Sequence, residues 1–192
     1  MRIRPVDPAG VPTMYAIYVP VVERTAISFE LTPPSLEAFG ARIGLYADGW
    51  ACLVAEHEGG AVGYACGSSH RQRSAYAWST ETSVYVHADA RRSGVGKTLY
   101  PALFAALAER GYCHAYGGIT LPNEASVALH RSVGFRDVGT FPSVGYEFGA
   151  PVDRACDRET LVVEPDQVGD EAFEVRGDAA RARHAAGHVE AW

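Results

Sequence analysis

The sequence predicts an α/β (α+β) protein with a mixed, mostly antiparallel sheet, one splayed parallel pair of strands and helices that flank the sheet. An apolar hairpin at 50–68 with a Glu-Gly-Gly turn indicates antiparallel strands. A strand, a glycine-containing turn and an amphipathic helix follow at 82–107, and another apolar run comes after that helix. Because strands that are joined by a helical crossover lie parallel, the sheet contains both strand directions.

The N-terminal half supplies the first strands and two helices. Alternating or β-branched apolar residues predict four strands, at 3–6, 50–56, 61–68 and 75–86. Apolar residues at helical spacing predict two helices, at 11–22 and from Pro33 to Gly49. The fourth strand is long enough to carry a bulge, which would splay the chain and expose backbone N–H groups.

The C-terminal half continues this pattern. Two more helices are predicted, from Val95 to Gly111 and from Pro122 to Gly134. Three more strands are predicted, at 112–120, 138–148 and 160–163. From Glu164 the composition shifts to Asp, Glu, Ala, Arg and His, with a further helix expected over 179–192. We therefore divide the chain into one domain at 1–163 and a charged, alanine-rich extension at 164–192.

Composition bounds the class of protein. Of the 192 residues, 47% are hydrophobic and 21% are charged, which is typical of one globular domain with a substantial core. No apolar run approaches the ~20 residues of a membrane span, and the N-terminus lacks the apolar core of a secretory signal. The net charge of −6 argues against a nucleic-acid-binding surface. We expect a cytoplasmic protein with no nucleic acid or membrane partner.

The cysteines and histidines predict neither a metal site nor a redox motif. Four cysteines are scattered without a Cys-x-x-Cys pair. Cys52 and Cys66 lie in strand-like apolar segments, which predicts buried thiols and a location inside the cell. His184 and His188 have i, i+4 spacing, but two ligands in an alanine-rich tail do not complete a metal site.

The turn between the strand at 84–86 and its helix is a predicted anion site. At a helix N-terminus the backbone N–H groups point outward and the helix dipole favours negative charge. Two arginines and a lysine in this turn add contacts suited to phosphate groups, namely Arg91, Arg92 and Lys97. A solvated basic turn is the alternative interpretation.

Three known phosphate-binding patterns can be compared with this turn. A dinucleotide-binding fingerprint fails because Leu99 stands where its third glycine belongs. A nucleotide-binding P-loop, the most distant alternative, matches at Gly96-Lys97-Thr98 but has Arg91 in place of its first glycine. The pattern Arg/Gln-x-x-Gly-x-Gly/Ala fits fully, as Arg91-x-x-Gly94-x-Gly96. It resembles the pyrophosphate loop of the acetyl-CoA-dependent N-acetyltransferases of the GNAT superfamily.

Within that superfamily the sequence resembles the phosphinothricin and methionine sulfoximine N-acetyltransferases. The matching pieces lie between Ile3 and Gly149, and the most specific is the run Ala-Tyr-x-Trp-x-x-Glu-Thr-Ser-Val-Tyr-Val at 75–86. Further matches stand at 25–30, 71–74, 121–126, His130, 134–135 and 144–149. The aromatic pair that this family carries around an aspartate is missing at 149–156, where Asp153 alone remains.

The resemblance implies the GNAT fold, acetyl-CoA as co-substrate, no metal, and a homodimer. It also implies three sets of site residues. The catalytic pair would be Glu81 and His130. Residues that contact the co-substrate would be Val84, Tyr85, Val86, Arg91, Arg92, Ser93, Gly94, Val95, Gly96, Lys97, Asn123 and Ser132. Residues that contact the acceptor would be Phe29, Glu30, Arg71, Arg73, Thr82 and Ser83.

Acetyl transfer from a thioester requires a neutral amine, a stabilised oxyanion and a tolerated thiolate. We expect Glu81 to take the ammonium proton, directly or through a water. A backbone N–H near Val84 or Tyr85 would stabilise the oxyanion. His130 can act as acid or base because its ordinary pKa is ~6.5. Arg71 and Arg73 would recognise a carboxylate or a phosphinate.

The predicted function is N-acetylation of a small amino acid-like acceptor, such as phosphinothricin or methionine sulfoximine. Resistance to a phosphinate antibiotic or herbicide and housekeeping acetylation both remain open roles. One alternative is an acetyltransferase for another amine, such as an antibiotic, a polyamine or a protein N-terminus. Another is a non-catalytic module that binds acyl-CoA. Tyr100 is expected either near the active site or in the helix core.

Overall fold

The computed structural model describes residues 1–160 of the chain, within which seven strands form one sheet and four α-helices flank it. The strands are β1 (Arg2–Pro5), β2 (Cys52–His57), β3 (Gly60–Ser69), β4 (Ser79–Val86), β5 (His114–Leu121), β6 (Arg136–Glu147) and β7 (Ala150–Thr160). The helices are α1 (Val11–Arg24), α2 (Leu36–Gly49), α3 (Val95–Glu109) and α4 (Glu124–Ser132). The predicted extension at 164–192, with its expected helix and its two histidines, lies outside the described residues.

The sheet confirms the predicted mixture of strand directions. Its order is β1-β2-β3-β4-β5-β7-β6. Neighbouring strands are antiparallel except β4 and β5, which are parallel as the helical crossover requires. β7 enters between β5 and β6, so the last two strands are not in chain order.

Helices cover both faces of the sheet. One face packs against α1 and α2, where Met14, Phe39 and Tyr64 are buried together. The other face packs against α3, whose predicted i, i+4 stripe of Val95, Leu99, Leu103 and Leu107 is buried. Each fully buried leucine contributes about 2 kcal/mol through removal of apolar surface from water. α4 packs beside α3 on this second face.

The parallel pair separates after four residues. β4 pairs with β5 through Ser79–Thr82 and His114–Gly117. Beyond this point β4 continues on β3 as far as Val86, while β5 continues on β7 as far as Leu121. A gap therefore opens between β4 and β5, and we call it the strand gap.

The predicted bulge in β4 is wrong, although the predicted splaying is confirmed. The β3–β4 register runs without a shift from Val86 opposite Gly63 to Thr80 opposite Ser69. The strand begins at Ser79 rather than Ala75 because residues 74–76 form a short 3-10 turn. The strands diverge because pairing with β5 stops.

Backbone N–H groups of β4 face the strand gap. The His87 N–H donates to the Val62 carbonyl at 2.9 Å, which shows which residues of β4 form hydrogen bonds with β3. Hydrogen-bonded and non-bonded positions alternate along an antiparallel pair. The N–H groups of Val84 and Val86 therefore point away from β3 and toward the gap.

Two other predictions need correction. The final strand was expected at 160–163, but β7 spans Ala150–Thr160, and residues 161–163 lie outside the described part of the chain. Cys52 and Cys66 were expected as thiols, but the structure joins them in a disulfide. They face each other across β2 and β3, with Cα atoms 4.1 Å apart.

The described residues lack two further features. None of the helices in the part that the structure describes is long and apolar enough to cross a membrane. The side chains that the structure describes, at 1–155, also include no group of three or more His, Cys, Asp or Glu placed to hold a metal ion.

Candidate active site

The turn before α3 offers hydrogen-bond donors and positive charge to solvent. Gly94 has φ 87° and ψ 2°, a left-handed conformation that suits glycine. The first bond within α3 runs from the Thr98 N–H to the Gly94 carbonyl at 3.1 Å, so the three preceding N–H groups have no acceptor within the helix. Arg91, Arg92 and Lys97 are exposed, and no carboxylate pairs with them among the described side chains, at 1–155. This arrangement fits a pyrophosphate group.

Other predicted contacts in this region already serve the fold. A Cβ atom at Gly96 would lie 2.6 Å from Leu129 Cδ2, so this glycine lets α3 approach α4. The Ser93 hydroxyl donates to the Ala90 carbonyl at 2.6 Å. The Asn123 side chain accepts from the Ser126 N–H at the start of α4, and the Ser132 hydroxyl donates to the Leu129 carbonyl.

Only the backbone of residues 84–86 reaches the strand gap. The side chains of Val84 and Val86 pack with the core beneath α3. The Tyr85 ring packs on the other face, 5.1 Å from the Tyr18 ring and 5.2 Å from the Tyr64 ring. Because hydrogen-bonded positions alternate along β4, the Tyr85 N–H faces Tyr64 in β3. Of the two predicted oxyanion donors, Val84 alone therefore directs its N–H toward the gap.

Glu81 lies on the face of the sheet that α1 and α2 cover. Side chains alternate along a strand, so Glu81 shares this face with Tyr85. Its Oε1 accepts from Nη2 of Arg154 at 2.6 Å, and both side chains are more than a quarter exposed. Next to it, His70 stacks on the Tyr116 ring with centroids 4.1 Å apart. Burial lowers the pKa of His70, and the nearby Arg71 lowers it further.

His130 lies on the opposite face, within the core between α3 and α4. Its side chain is 4% exposed. Nδ1 is 2.8 Å from the Ser126 carbonyl, which can only accept, so Nδ1 carries the proton. Nε2 is 2.8 Å from the Tyr100 hydroxyl, which donates to it when the ring is neutral. Tyr100 is fully buried, so it belongs to the core and also touches a predicted catalytic residue.

The structure does not bring Glu81 and His130 into contact. Thr82 and Gly117 form the last pair before the gap opens. Glu81 precedes Thr82 on one face, and the His130 ring packs against Gly117 on the other, where a Cβ would lie 2.8 Å from Nε2. The two predicted catalytic residues therefore flank the start of the strand gap from opposite faces.

The predicted acceptor residues are only partly assembled. Phe29, with φ 60°, lies beneath the Arg154 guanidinium, whose Cζ is 5.1 Å from the ring centroid. Glu30 pairs with Arg42, and its buried Oε2 has no hydrogen-bond partner in the described part of the chain. Thr82 is buried and donates to the Tyr116 carbonyl, and Ser83 is half-buried beside it. Arg71 and Arg73 are exposed in the connection before β4.

Sequence reasoning missed Arg154, the partner of Glu81. The signal is weak because the segment 149–156 stands out in the sequence as a departure from the family pattern rather than as a strand. Asp153, which was noticed, faces a different partner and accepts from the Ser143 N–H at 2.7 Å. Recognition of β7 would have placed Arg154 opposite Thr120 on β5, on the same face as Glu81.

Comparisons with known proteins agree on one family. The acetyltransferase (GNAT) family model matches residues 22–135. The chain is 51% identical over 88 residues to a phosphinothricin N-acetyltransferase of Streptomyces coelicolor, an alignment that covers 46% of this chain and 52% of the relative. The chain thus spans about half the length of the first curated relatives it matches.

A second relative is matched over more of its length. The chain is 35% identical over 153 residues to an L-methionine sulfoximine/L-methionine sulfone acetyltransferase of Pseudomonas aeruginosa, covering 79% of this chain and 89% of the relative. Among solved structures, a phosphinothricin acetyltransferase of Sinorhizobium meliloti in complex with AcCoA superposes with a TM-score of 0.82. That match has 28% identity and covers 86% of this chain and 91% of the other.

Proposed function

The chain belongs to the acetyltransferase (GNAT) family, and we propose that it transfers an acetyl group from acetyl-CoA to the amine of a small amino acid-like acceptor. Phosphinothricin, methionine sulfoximine and methionine sulfone are the candidate acceptors. The observation that carries this proposal is the position of Glu81, an accessible carboxylate at the point where β4 and β5 separate. We place the reaction in the cytoplasm, where acetyl-CoA is available.

The residues present fit acetyl-CoA. The exposed cations and the free N–H groups at the start of α3 would hold the pyrophosphate. The Val84 and Val86 N–H groups would hydrogen-bond the pantetheine arm and the acetyl carbonyl within the strand gap. When bound, acetyl-CoA supplies the acetyl group as a thioester.

The chain's own groups would then handle the charges. Glu81 accepts a proton from the acceptor ammonium, directly or through a water, so that the amine nitrogen can form the new C–N bond. The Val84 N–H stabilises the negative charge that develops on the carbonyl oxygen. When the C–S bond breaks, the nitrogen loses its second proton to the departing sulfur, so that CoA leaves as a thiol and the amide is neutral.

The geometry favours Glu81 over His130 as the base. Both ring nitrogens of His130 are engaged inside the protein, by Ser126 and Tyr100. The Tyr100–His130 pair instead forms one wall of the gap, on the side of α3. We propose that the main role of His130 is to hold this wall in place, through its contacts with Tyr100 and Ser126, and that its contribution to proton transfer is secondary.

The first experiment is a thiol-release assay with acetyl-CoA. The acceptor panel contains L-phosphinothricin, L-methionine sulfoximine, L-methionine sulfone, spermidine and an aminoglycoside. CoA release with the first three acceptors is the expected result. Turnover with spermidine or the aminoglycoside alone would overturn the acceptor assignment, and tight acetyl-CoA binding without turnover on any amine would favour a binding module.

We also propose that the protein is a homodimer. Large apolar side chains are exposed along β6, which is an edge strand, and at the turn that follows it: Val138, Phe141, Val144, Tyr146 and Phe148. An exposed apolar edge strand of this length invites pairing with another chain. A second copy of this chain is the partner that the family resemblance favours.

A further inference from the structure

Arg154 reaches Glu81 by lying flat across β5. It stands on β7 opposite Thr120, and its guanidinium passes over Gly118. A Cβ atom at position 118 would lie 2.1 to 2.4 Å from three guanidinium atoms, so this path requires glycine. The Phe29 ring lies 5.1 Å from Cζ and holds the guanidinium by a cation–π contact.

The Arg154–Glu81 pair contributes little to stability. Its side chains are 28% and 29% exposed, and ion pairs with this access to water contribute about 0–1 kcal/mol. Among residues 1–155, whose side chains the structure describes, no other carboxylate pairs with Arg154. A guanidinium has five N–H donors, and a single contact with Glu81 leaves most of them available.

The pair matches the two charged groups of an α-amino acid. In such a molecule the carboxylate carbon is bonded to the carbon that carries the amine. A base that takes the ammonium proton and a cation that binds the carboxylate must therefore be neighbours. Glu81 and Arg154 are neighbours at 2.6 Å, on the face of the sheet where the acceptor residues were predicted.

We propose that Arg154 binds the α-carboxylate of the acceptor while Glu81 takes the proton from its α-ammonium. This assignment rests on the proposed function and narrows the acceptor to α-amino acids. The exposed arginines before β4 are then left for an anionic or polar group at the far end of the acceptor. Amines that lack an α-carboxylate are poor acceptors because the guanidinium remains unpaired with substrate.

The test compares two acceptors that differ in the carboxylate alone, L-methionine sulfone and 3-(methylsulfonyl)propylamine. In Arg154→Gln, kcat/KM for methionine sulfone falls about 10- to 100-fold, mainly through KM, as expected for loss of a charge-assisted hydrogen bond. For the amine it changes less than about two-fold. Arg154→Lys recovers part of the loss, because an ammonium keeps the positive charge but lacks the two parallel N–H donors of a guanidinium.

Gly118→Ala tests the same guanidinium without altering it. The new methyl group displaces the flexible end of Arg154, so this variant shows the same loss of selectivity as Arg154→Gln. Arg2→Gln, at an exposed position on β1, is the matched control and leaves both acceptors unaffected. Calorimetric titration of each acceptor into CoA-saturated protein gives the same comparison without turnover.

The outcomes separate the two proposals. An equal loss for both acceptors, or no loss in either variant, overturns the role of Arg154 while wild-type turnover upholds the proposed function. A wild-type protein that neither acetylates nor binds any α-amino acid overturns the proposed function, and the role of Arg154 with it.

Discussion

Glu81 and His130 differ in what their polar atoms face. Glu81 is accessible, and one of its oxygens accepts a hydrogen bond from Arg154. His130 is buried, and both of its ring nitrogens are hydrogen-bonded within the protein. A base must reach the proton that it abstracts. Our proposal therefore gives proton transfer to Glu81 and a structural role to His130, and each role has its own test.

Replacing Glu81 with Gln should lower kcat/KM about 10²- to 10⁴-fold, the usual contribution of a general base. The amide still accepts from Arg154, so the melting temperature should stay close to that of the wild type. Glu58→Gln, in the exposed turn before β3, is the control. Turnover within a few-fold of wild type would rule out Glu81 as the base.

Replacing His130 with Ala should lower the free energy of unfolding by about 2–4 kcal/mol, because it leaves a cavity and removes a partner of the buried Tyr100 hydroxyl. Tyr100→Phe and the double variant complete a thermodynamic cycle. Chemical denaturation should give a coupling of at least about 0.5 kcal/mol between the two residues. Additive losses would show that the 2.8 Å contact does not stabilise the protein.

His70 should make stability depend on pH. Burial and Arg71 hold its pKa below the ordinary value of 6.5, so the unfolded chain binds the proton more readily. The stabilisation is complete above pH 6.5 and is lost as the pH falls through the lower, folded-state pKa. The His70→Gln variant should lose less stability than wild type between about pH 8 and pH 5 in thermal melts. His57→Gln, at an exposed position, should behave like wild type, and identical slopes for all three proteins would contradict the assignment.

At the scale of elements, the start of α3 depends on two glycines for different reasons. Gly94 has a left-handed backbone with open space around its Cα, whereas Gly96 lies against Leu129. Substitution at the first costs backbone strain alone, and substitution at the second separates two helices. Both positions match the family pattern, which does not distinguish these causes.

Gly96→Ala should lower the free energy of unfolding by about 1–3 kcal/mol through overpacking against Leu129. Gly94→Ala should cost about 1–2 kcal/mol through strain. Leu129→Ala makes room for the new methyl group. In a Leu129→Ala background, Gly96→Ala should therefore lower the free energy of unfolding, measured by urea denaturation, by less than it does in the wild type. The loss caused by Gly94→Ala should be the same with and without Leu129→Ala. If Leu129→Ala leaves the Gly96→Ala loss unchanged as well, this account is contradicted.

The elements that sequence periodicity predicted are those whose pattern is local. The stripe on α3 is visible because all four residues face one core. β7 was missed because it contains Pro151 and several charges, and because it is inserted between β5 and β6. Arg154 was missed with it. The strand gap was anticipated, but its cause, the end of β4–β5 pairing at Thr82, depends on contacts that no local pattern records.

At the scale of the whole molecule, the fold assembles the candidate site from both faces of one sheet. α1, α2 and the loop at Phe29 lie on the Glu81 side, and α3 and α4 lie on the His130 side. The family resemblance names the residues of the site one by one, and these roles stay a prediction. It did not predict which face each residue occupies, because that depends on strand register.

The proposed dimer should be testable in solution. Light scattering after size exclusion should give about twice the chain mass of 20.6 kDa for the wild type. Val144→Asp combined with Phe148→Asp should give the monomer mass, because charges on an edge strand oppose pairing. Leu45→Asp, at a comparably exposed apolar position on α2, should remain dimeric. A monomeric wild type would exclude the interface.

Gly117 and Gly118 are adjacent on β5, and each clears space on a different face, one for His130 and one for Arg154. At this point only the backbone of β5 separates the two faces of the sheet. A side chain on a strand points to one face only, so a substitution on the Glu81 face leaves the packing of the His130 face unchanged. Under the proposed function, acceptor preference would therefore evolve through substitutions on one face, while the contacts to acetyl-CoA stay as they are.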